Sequence, residues 1–175
     1  MRLENGLIQV YTGNGKGKTT AALGLALRAI GHGLKVHMIQ FMKGGGPYGE
    51  HAAAERLAPW LKVSRTGRSG WVKKGAPAPE DINEAQRALE MARQTLIGDY
   101  DLVILDEVNG AVDFGLIAVA DLLSLIAAKP SNVELVLTGR NAHEKIMEAA
   151  DLVSEMREVK HYFRKGVNFR VGIER

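Results

Sequence analysis

The sequence predicts an α/β fold, a mostly parallel sheet flanked by helices, on three observations. A glycine-rich stretch, Gly13-Asn14-Gly15-Lys16-Gly17-Lys18-Thr19-Thr20, stands between the apolar run Leu7-Ile8-Gln9-Val10 and an alanine- and leucine-rich run. A second apolar run, residues 35–41, follows closely enough that strand, loop, helix and strand make one βαβ unit, which implies a right-handed crossover between parallel strands. A third, Leu102-Val103-Ile104-Leu105, ends in the acids Asp106 and Glu107.

The first strand takes Leu7 to Val10 and runs into the loop. Glycines at 13, 15 and 17 let the backbone approach a polyphosphate closely, with several N–H groups aimed at one anion. A helix starting near Gly17 adds its unpaired N–H groups and positive dipole end. Lys18 reaches phosphate oxygens as a point charge, and the Thr19 hydroxyl is placed to ligate a divalent metal. These residues predict a nucleotide-phosphate site. In the common G-x-x-x-x-G-K-[ST] spacing the first glycine would fall at position 12, which is Thr12 here; the loop is one residue tighter, or its glycine is displaced to Gly13.

The helix carries Ala21, Leu25 and Arg28 and stops at Gly31-His32-Gly33; Lys35 to Phe41 is the second strand. Met42 to Gly49 lies at the carboxyl end of that strand, where open α/β sheets place ligands, and reads equally as a mobile substrate loop, with Lys43 contacting an anion, or as a plain connection. A helix from His51 to Ala58 and a short strand from Leu61 to Ser64 lead into Thr66-Gly67-Arg68-Ser69-Gly70-Trp71. Trp71 either stacks on a flat ligand or covers the sheet edge. Pro77-Ala78-Pro79-Glu80-Asp81 opens a long helix with Ile82, Ala85, Leu89, Ala92 and Leu96 as one buried face.

At the end of the next strand an acid beside the phosphate loop can hold Mg²⁺ while its neighbour orients a substrate group. Adjacent residues point to opposite sides of a strand, so Asp106 and Glu107 can both serve only if the strand ends between them. Leu116 to Ala127 reads as a helix, Val133 to Thr138 as a strand that delivers Arg140 to the ligand edge, and His143 to Ala150 as a short helix before the apolar pair Leu152-Val153 and a basic tail.

A chain of 175 residues fits one domain over 1–175, burying about 70% of its unfolded surface. Its 23 Lys+Arg against 20 Asp+Glu leave +3, too small and dispersed to announce nucleic-acid binding; the runs Lys62–Lys74 and Lys160–Lys165 read as solvated faces. With no cysteine there is no disulfide framework, thiolate metal site or cysteine nucleophile. The five histidines lack metal-ligand spacing and no G-x-S-x-G elbow occurs. No apolar stretch reaches the ~20 residues of a membrane span, so a soluble, cytoplasmic protein is expected.

Several stretches together resemble one family, the phosphate-loop ATP:corrinoid adenosyltransferases that make adenosylcobalamin: Val10 to Ala22, Gln40-Phe41-Met42-Lys43-Gly44, Leu105-Asp106-Glu107, Leu137-Thr138-Gly139-Arg140, and Ala150 to Arg157 with Val159-Lys160-His161. The resemblance implies a phosphate-loop NTPase-like, RecA-like fold. It also implies transfer of the 5′-deoxyadenosyl group of ATP to the Co(I) of a corrinoid such as cob(I)alamin or cob(I)yrinic acid a,c-diamide, with triphosphate leaving. Mg²⁺, a homodimer and an electron donor such as a reduced flavoprotein come with it, and the nucleotide is expected to sit reversed relative to kinases.

Carried over by position, Gly13, Asn14, Gly15, Lys16, Gly17, Lys18, Thr19 and Thr20 hold the triphosphate, and Arg28, Lys43 and Arg140 approach it. Thr19 and an acid at Asp106 or Glu107 hold the metal, with Lys18, Thr19 and Glu107 in the catalytic roles. Trp71 belongs to the corrinoid-side loop. That loop departs from the family pattern: Arg68 replaces a phenylalanine and Trp71 comes one place late, so the aromatic pair that displaces the lower ligand is incomplete. Gly110 replaces a tyrosine, and no N-terminal extension over the corrinoid is expected. Two other classes remain open on the residues alone: a phosphate-loop ATPase or small-molecule kinase, and a nucleotide-binding corrinoid module without turnover.

Overall fold

The computed structural model describes residues 3–46 and 48–174; Met1, Arg2, Pro47 and Arg175, which belong to the N-terminal lead, the 42–49 loop and the tail of the sequence, lie outside them. Within the described residues the elements run β1 (Ile8–Thr12), α1 (Lys18–Gly31), β2 (Val36–Gln40), α2 (Gly49–Arg56), β3 (Leu61–Arg65), α3 (Pro79–Leu96), β4 (Leu102–Asp106), α4 (Val108–Asp113), α5 (Val119–Ala127), β5 (Glu134–Thr138), α6 (Glu144–Glu148) and β6 (Leu152–Glu155), followed by a 3-10 turn at Tyr162–Lys165.

The strands form one sheet in the order β3-β2-β4-β5-β1-β6, and every pairing is parallel. Parallel strands need covered faces on both sides, and the side-chain alternation supplies them. Val36, Met38, Leu102, Ile104 and Val136 pack with Ala22, Ala26 and Ala29 of α1 and Ala54 of α2. The intervening Ile39, Val103, Leu105, Leu135 and Leu137 pack with Ala85, Leu89, Ala92 and Leu96 of α3 and with Leu122 and Leu125 of α5. Because all strands point one way, the carboxyl ends of β1, β2, β4 and β5 share one edge, the edge where such sheets bind ligands.

Three expectations are corrected or extended. The segment from Leu116 to Ala127 is helical only from Val119, because Gly115, at φ 75, breaks the chain after α4, a short helix that no periodicity announced. The apolar pair Leu152-Val153 belongs to β6, an edge strand beside β1. Ile82 is 37% exposed, so the buried stripe of α3 starts at Ala85, while Asp81 in its first turn is buried. All five cations of the Lys62–Lys74 run are exposed, in keeping with a solvated face, and three of them also find partners within the fold: Arg65 with Gly46 O, Arg68 with Asp81 and Lys74 with Asp113. Among the described residues no helix is long and apolar enough to cross a membrane.

Candidate functional site

Between β1 and α1 the loop turns on two left-handed glycines, Gly13 at φ 94 and Gly17 at φ 120. The segment leaving β6 presses on it. A Cβ at Gly13 would lie 2.5 Å from Met156 O, and one at Gly15 2.6 Å from the same atom, so close backbone approach excludes any side chain at both positions. Met156 N–H donates to Thr12 O at 2.8 Å and Gly15 N–H to Met156 O at 2.6 Å. Gly17 caps α1 without any side-chain cap, which leaves first-turn N–H groups of this 14-residue helix for an anion.

Lys18, only 7% exposed, donates from Nζ to Gly13 O at 2.7 Å and Gly15 O at 2.8 Å. Burial holds its ammonium below the ordinary lysine range, with Arg140 adding to the effect and Glu107 and Asp106 opposing it.

Asp106 ends β4 fully buried. Its Oδ1 accepts from Thr19 Oγ1 at 2.8 Å and Thr138 Oγ1 at 2.7 Å; its Oδ2 accepts from Gln40 Nε2 at 3.2 Å and pairs with Lys43 Nζ at 2.9 Å. Thr138 Oγ1 in turn accepts the Glu107 N–H at 3.0 Å. Gln40 extends the network to Glu50 at 3.0 Å and His51 at 2.8 Å. Burial would lower the Lys43 ammonium, but Asp106 and Glu50 outweigh it and hold the group above its ordinary value.

The strand does end between the two acids. Glu107 takes a left-handed conformation at φ 63 and caps α4, which swings its carboxylate into the cleft while Asp106 stays behind Thr19. Burial, and then Asp106, push the Glu107 carboxyl above the ordinary range against the pull of Lys43, Lys18 and Arg140.

One cleft of about 1030 Å³ runs along this edge. Asn14 to Thr20 line it together with Glu107, Lys43, Arg140, Trp71 and, from the C-terminal segment, Phe169 and Ile173; the Ile173 carbonyl lies 3.5 Å from Lys16 Nζ. Trp71 is 94% exposed, which excludes the core and leaves it on the rim of this cleft. Gly13 is outside the cleft lining, packed against Met156.

One expectation about an individual residue is corrected. Arg28 is exposed in the last turn of α1, outside the cleft lining, about 15 Å along the axis from Lys18 at the helical rise; its charge acts on Tyr11 instead. Lys43 lines the cleft and is engaged there by two carboxylates of the protein itself, Asp106 and Glu50.

Gln40, Thr138 and Met156 fall within the stretches that resemble the family, but no sequence pattern assigned them a site role, and none singled out Phe169 or Ile173. The signal for the first two was register: Gln40 pairs with Asp106 across β2 and β4, and Thr138 follows Leu137, the residue beside Leu105.

Thr19 and Asp106 supply two hard oxygen donors joined at 2.8 Å, a set that fits a small divalent cation completing its shell with water and phosphate oxygens. Among the described residues no group of three histidine, cysteine or acid side chains makes a cage from protein alone.

The family described as ATP:corrinoid adenosyltransferase BtuR/CobO/CobP matches residues 4–175. The corrinoid adenosyltransferase of Pseudomonas aeruginosa is 39% identical over 174 residues, covering 99% of this chain and 85% of that one. Corrinoid adenosyltransferase CobA of Salmonella typhimurium is 39% identical over 173 residues, covering 98% and 86%. Among solved structures, the crystal structure of the RadB recombinase superposes with a TM-score of 0.58 at 16% identity, over 90% of this chain and 77% of that one, a likeness of fold alone and consistent with a RecA-like phosphate-loop sheet. With the family match spanning the phosphate loop, the β4 acids and the β6 exit that clamps the loop, the chain belongs to the ATP:corrinoid adenosyltransferases.

Proposed function

We propose that the protein transfers the 5′-deoxyadenosyl group of ATP to the Co(I) of a corrinoid, releasing triphosphate in the formation of adenosylcobalamin. Family membership supports the reaction, and one observation carries it to this site: the phosphate loop and Trp71 border a single continuous cleft of about 1030 Å³, at the upper end of ordinary ligand pockets, so nucleotide and acceptor can share one space.

Co(I) is the nucleophile. Its electron pair forms the cobalt–carbon bond at C5′, the C5′–O bond breaks, and its electrons leave with triphosphate as cobalt goes formally from +1 to +3. No protein base is needed, so the chain's task is alignment and stabilisation of the leaving charge. In this reading Lys18, now bonded to the Gly13 and Gly15 carbonyls, turns to the triphosphate, and the α1 amides face the same anion. Asn14, Lys16, Thr20 and Arg140, which line the same cleft, contact it as well. Glu107, in the cleft lining, orients the nucleoside portion, and Trp71 receives the corrinoid face.

Thr19 with Asp106 would hold Mg²⁺, whose chemistry here is to neutralise charge on the departing phosphates. A single domain, a homodimer, a cytoplasmic location and an external donor such as a reduced flavoprotein complete the proposal, on the family's precedent.

The test is anaerobic incubation with Mg·ATP and chemically reduced Co(I) cobalamin, with the phosphate products separated. Adenosylcobalamin and triphosphate in equal amounts are expected. ADP as the product would mean phosphoryl transfer and a kinase or ATPase instead.

A further inference from the structure

Lys43 bridges the interior and the cleft. Its Nζ lies 2.9 Å from Oδ2 of the fully buried Asp106 and 3.6 Å from Glu50 Oε1, and sits 5.3 Å from the centroid of the Tyr48 ring. Yet the side chain is 17% exposed and forms part of the cleft wall near Thr19 and Glu107. A carboxylate buried without a counter-charge is costly, and in the nucleotide-free protein Lys43 supplies that charge.

We propose that Lys43 is a resident counter-cation that occupies Asp106 until a nucleotide arrives, and then moves to the polyphosphate as a divalent cation takes its place. The proposal rests on the reading of Thr19 and Asp106 as the metal-holding pair. A dication and an ammonium on the same carboxylate repel each other, so the metal alone is kept out. The polyphosphate removes the conflict by offering Lys43 a denser negative charge across the same cleft. Lysine suits the exchange, being a compact charge on a flexible four-carbon stem. The backbone stays put, because Lys43 N–H is anchored to Thr66 O at 2.8 Å. Nucleotide and metal thereby bind interdependently, and the metal site opens only when there is a leaving group to neutralise.

The experiment is titration of the nucleotide-free protein with Mn²⁺, followed by the electron paramagnetic resonance signal of the free ion. Wild type should bind Mn²⁺ weakly, and Lys43→Met should bind it tighter by on the order of tenfold. Lys43→Arg, which keeps the charge, should behave as wild type, and Asp106→Asn in the Lys43→Met background should abolish the gain. Equal affinity in wild type and Lys43→Met overturns the role of Lys43. A gain that survives Asp106→Asn puts the ion elsewhere and overturns the metal-site reading with it. Wild-type protein gives an independent reading by NMR after reductive ¹³C-methylation: the Lys43 signal should move with Mg·ATP and not with Mg²⁺ alone, and the reverse pattern contradicts the exchange.

Discussion

Gly15 donates its N–H to the carbonyl of Met156 at 2.6 Å, so the phosphate loop hangs from the segment that leaves β6. Two stretches far apart in the chain are thereby one structural unit, and the tightness of the loop follows from that contact. A methyl group at Gly15 would meet Met156 O at 2.6 Å and Arg157 C at 2.8 Å, both backbone atoms with little room to yield. Gly15→Ala should therefore cost about 1–3 kcal/mol, as overpacking does, and weaken ATP binding at the same time. Denaturant unfolding and ATP titration of one preparation check both; unchanged values would mean that the β6 exit can move aside.

Lys18→Ala removes the ammonium nearest the leaving phosphates in the proposed reaction. The expected loss is on the order of 2–4 kcal/mol of transition-state stabilisation, read from kcat/KM with pre-reduced corrinoid. Near-normal turnover would remove Lys18 from that role.

Arg68 has a structural partner that spacing could not reveal. Its guanidinium binds Asp81 through two bonds of 2.5 and 3.0 Å, and Asp81 in turn accepts the Ala78 N–H at the start of α3. Placing the family's phenylalanine at 68 therefore leaves a buried carboxylate unpaired. The Arg68 hydrogen bond holds the Asp81 carboxyl below its ordinary value. A carboxyl depressed in the folded state stabilises above its unfolded pKa and loses that contribution as pH falls through the folded one. Arg68→Phe should thus lower the melting temperature more at pH 7 than at pH 3. The same change with Asp81→Asn should recover stability at pH 7, and in that background an aromatic ring at 68 should raise activity with Co(II) plus reductant more than with pre-reduced Co(I). Equal gains would mean the loop does not govern reduction.

His37 predicts an acid-sensitive fold. It is 2% exposed, with Nε2 at 2.9 Å from Ser64 Oγ and Nδ1 at 3.0 Å from Thr95 Oγ1, and burial followed by the charge of Lys62 lowers its pKa to about 4. Between that value and about 6.5 the unfolded chain binds a proton that the folded one refuses, so stability should be full above pH 6.5 and fall towards pH 4. The whole loss is about 3–4 kcal/mol at most, since a tenfold difference in proton affinity is worth about 1.4 kcal/mol. Urea unfolding at pH 7, 5.5 and 4 should show the fall and His37→Gln should flatten it. An identical pH dependence in the variant would assign the loss to other groups.

What the sequence made legible is what local spacing encodes. The loop from Gly13 to Thr19, the acids after Leu105 and the helix opening at Pro79 all follow from residues near one another in the chain. The ring of donors on Asp106 was not legible in that way. Gln40, Thr19 and Thr138 reach it only because β2, α1 and β5 lie beside β4, and strand order is a long-range property. The same holds for Met156, which meets the loop through its backbone, and for Phe169 and Ile173, which line the cleft only because the chain returns to it. Arg28 differs in the other direction: its helix is legible from local residues, but ten residues of helix carry it away from the loop.

In the proposed reaction the phosphate loop holds a leaving group, with the bond to carbon broken and every phosphorus left untouched. The direct measurement uses ATP labelled with ¹⁸O in the bridge between C5′ and the α-phosphorus, reacted anaerobically with Co(I) cobalamin, with mass spectrometry of the products. The label should appear wholly in triphosphate, with adenosylcobalamin formed in equal amount. Label retained on an adenosine-containing phosphate such as ADP or AMP, with no cobalt–carbon bond formed, would contradict it.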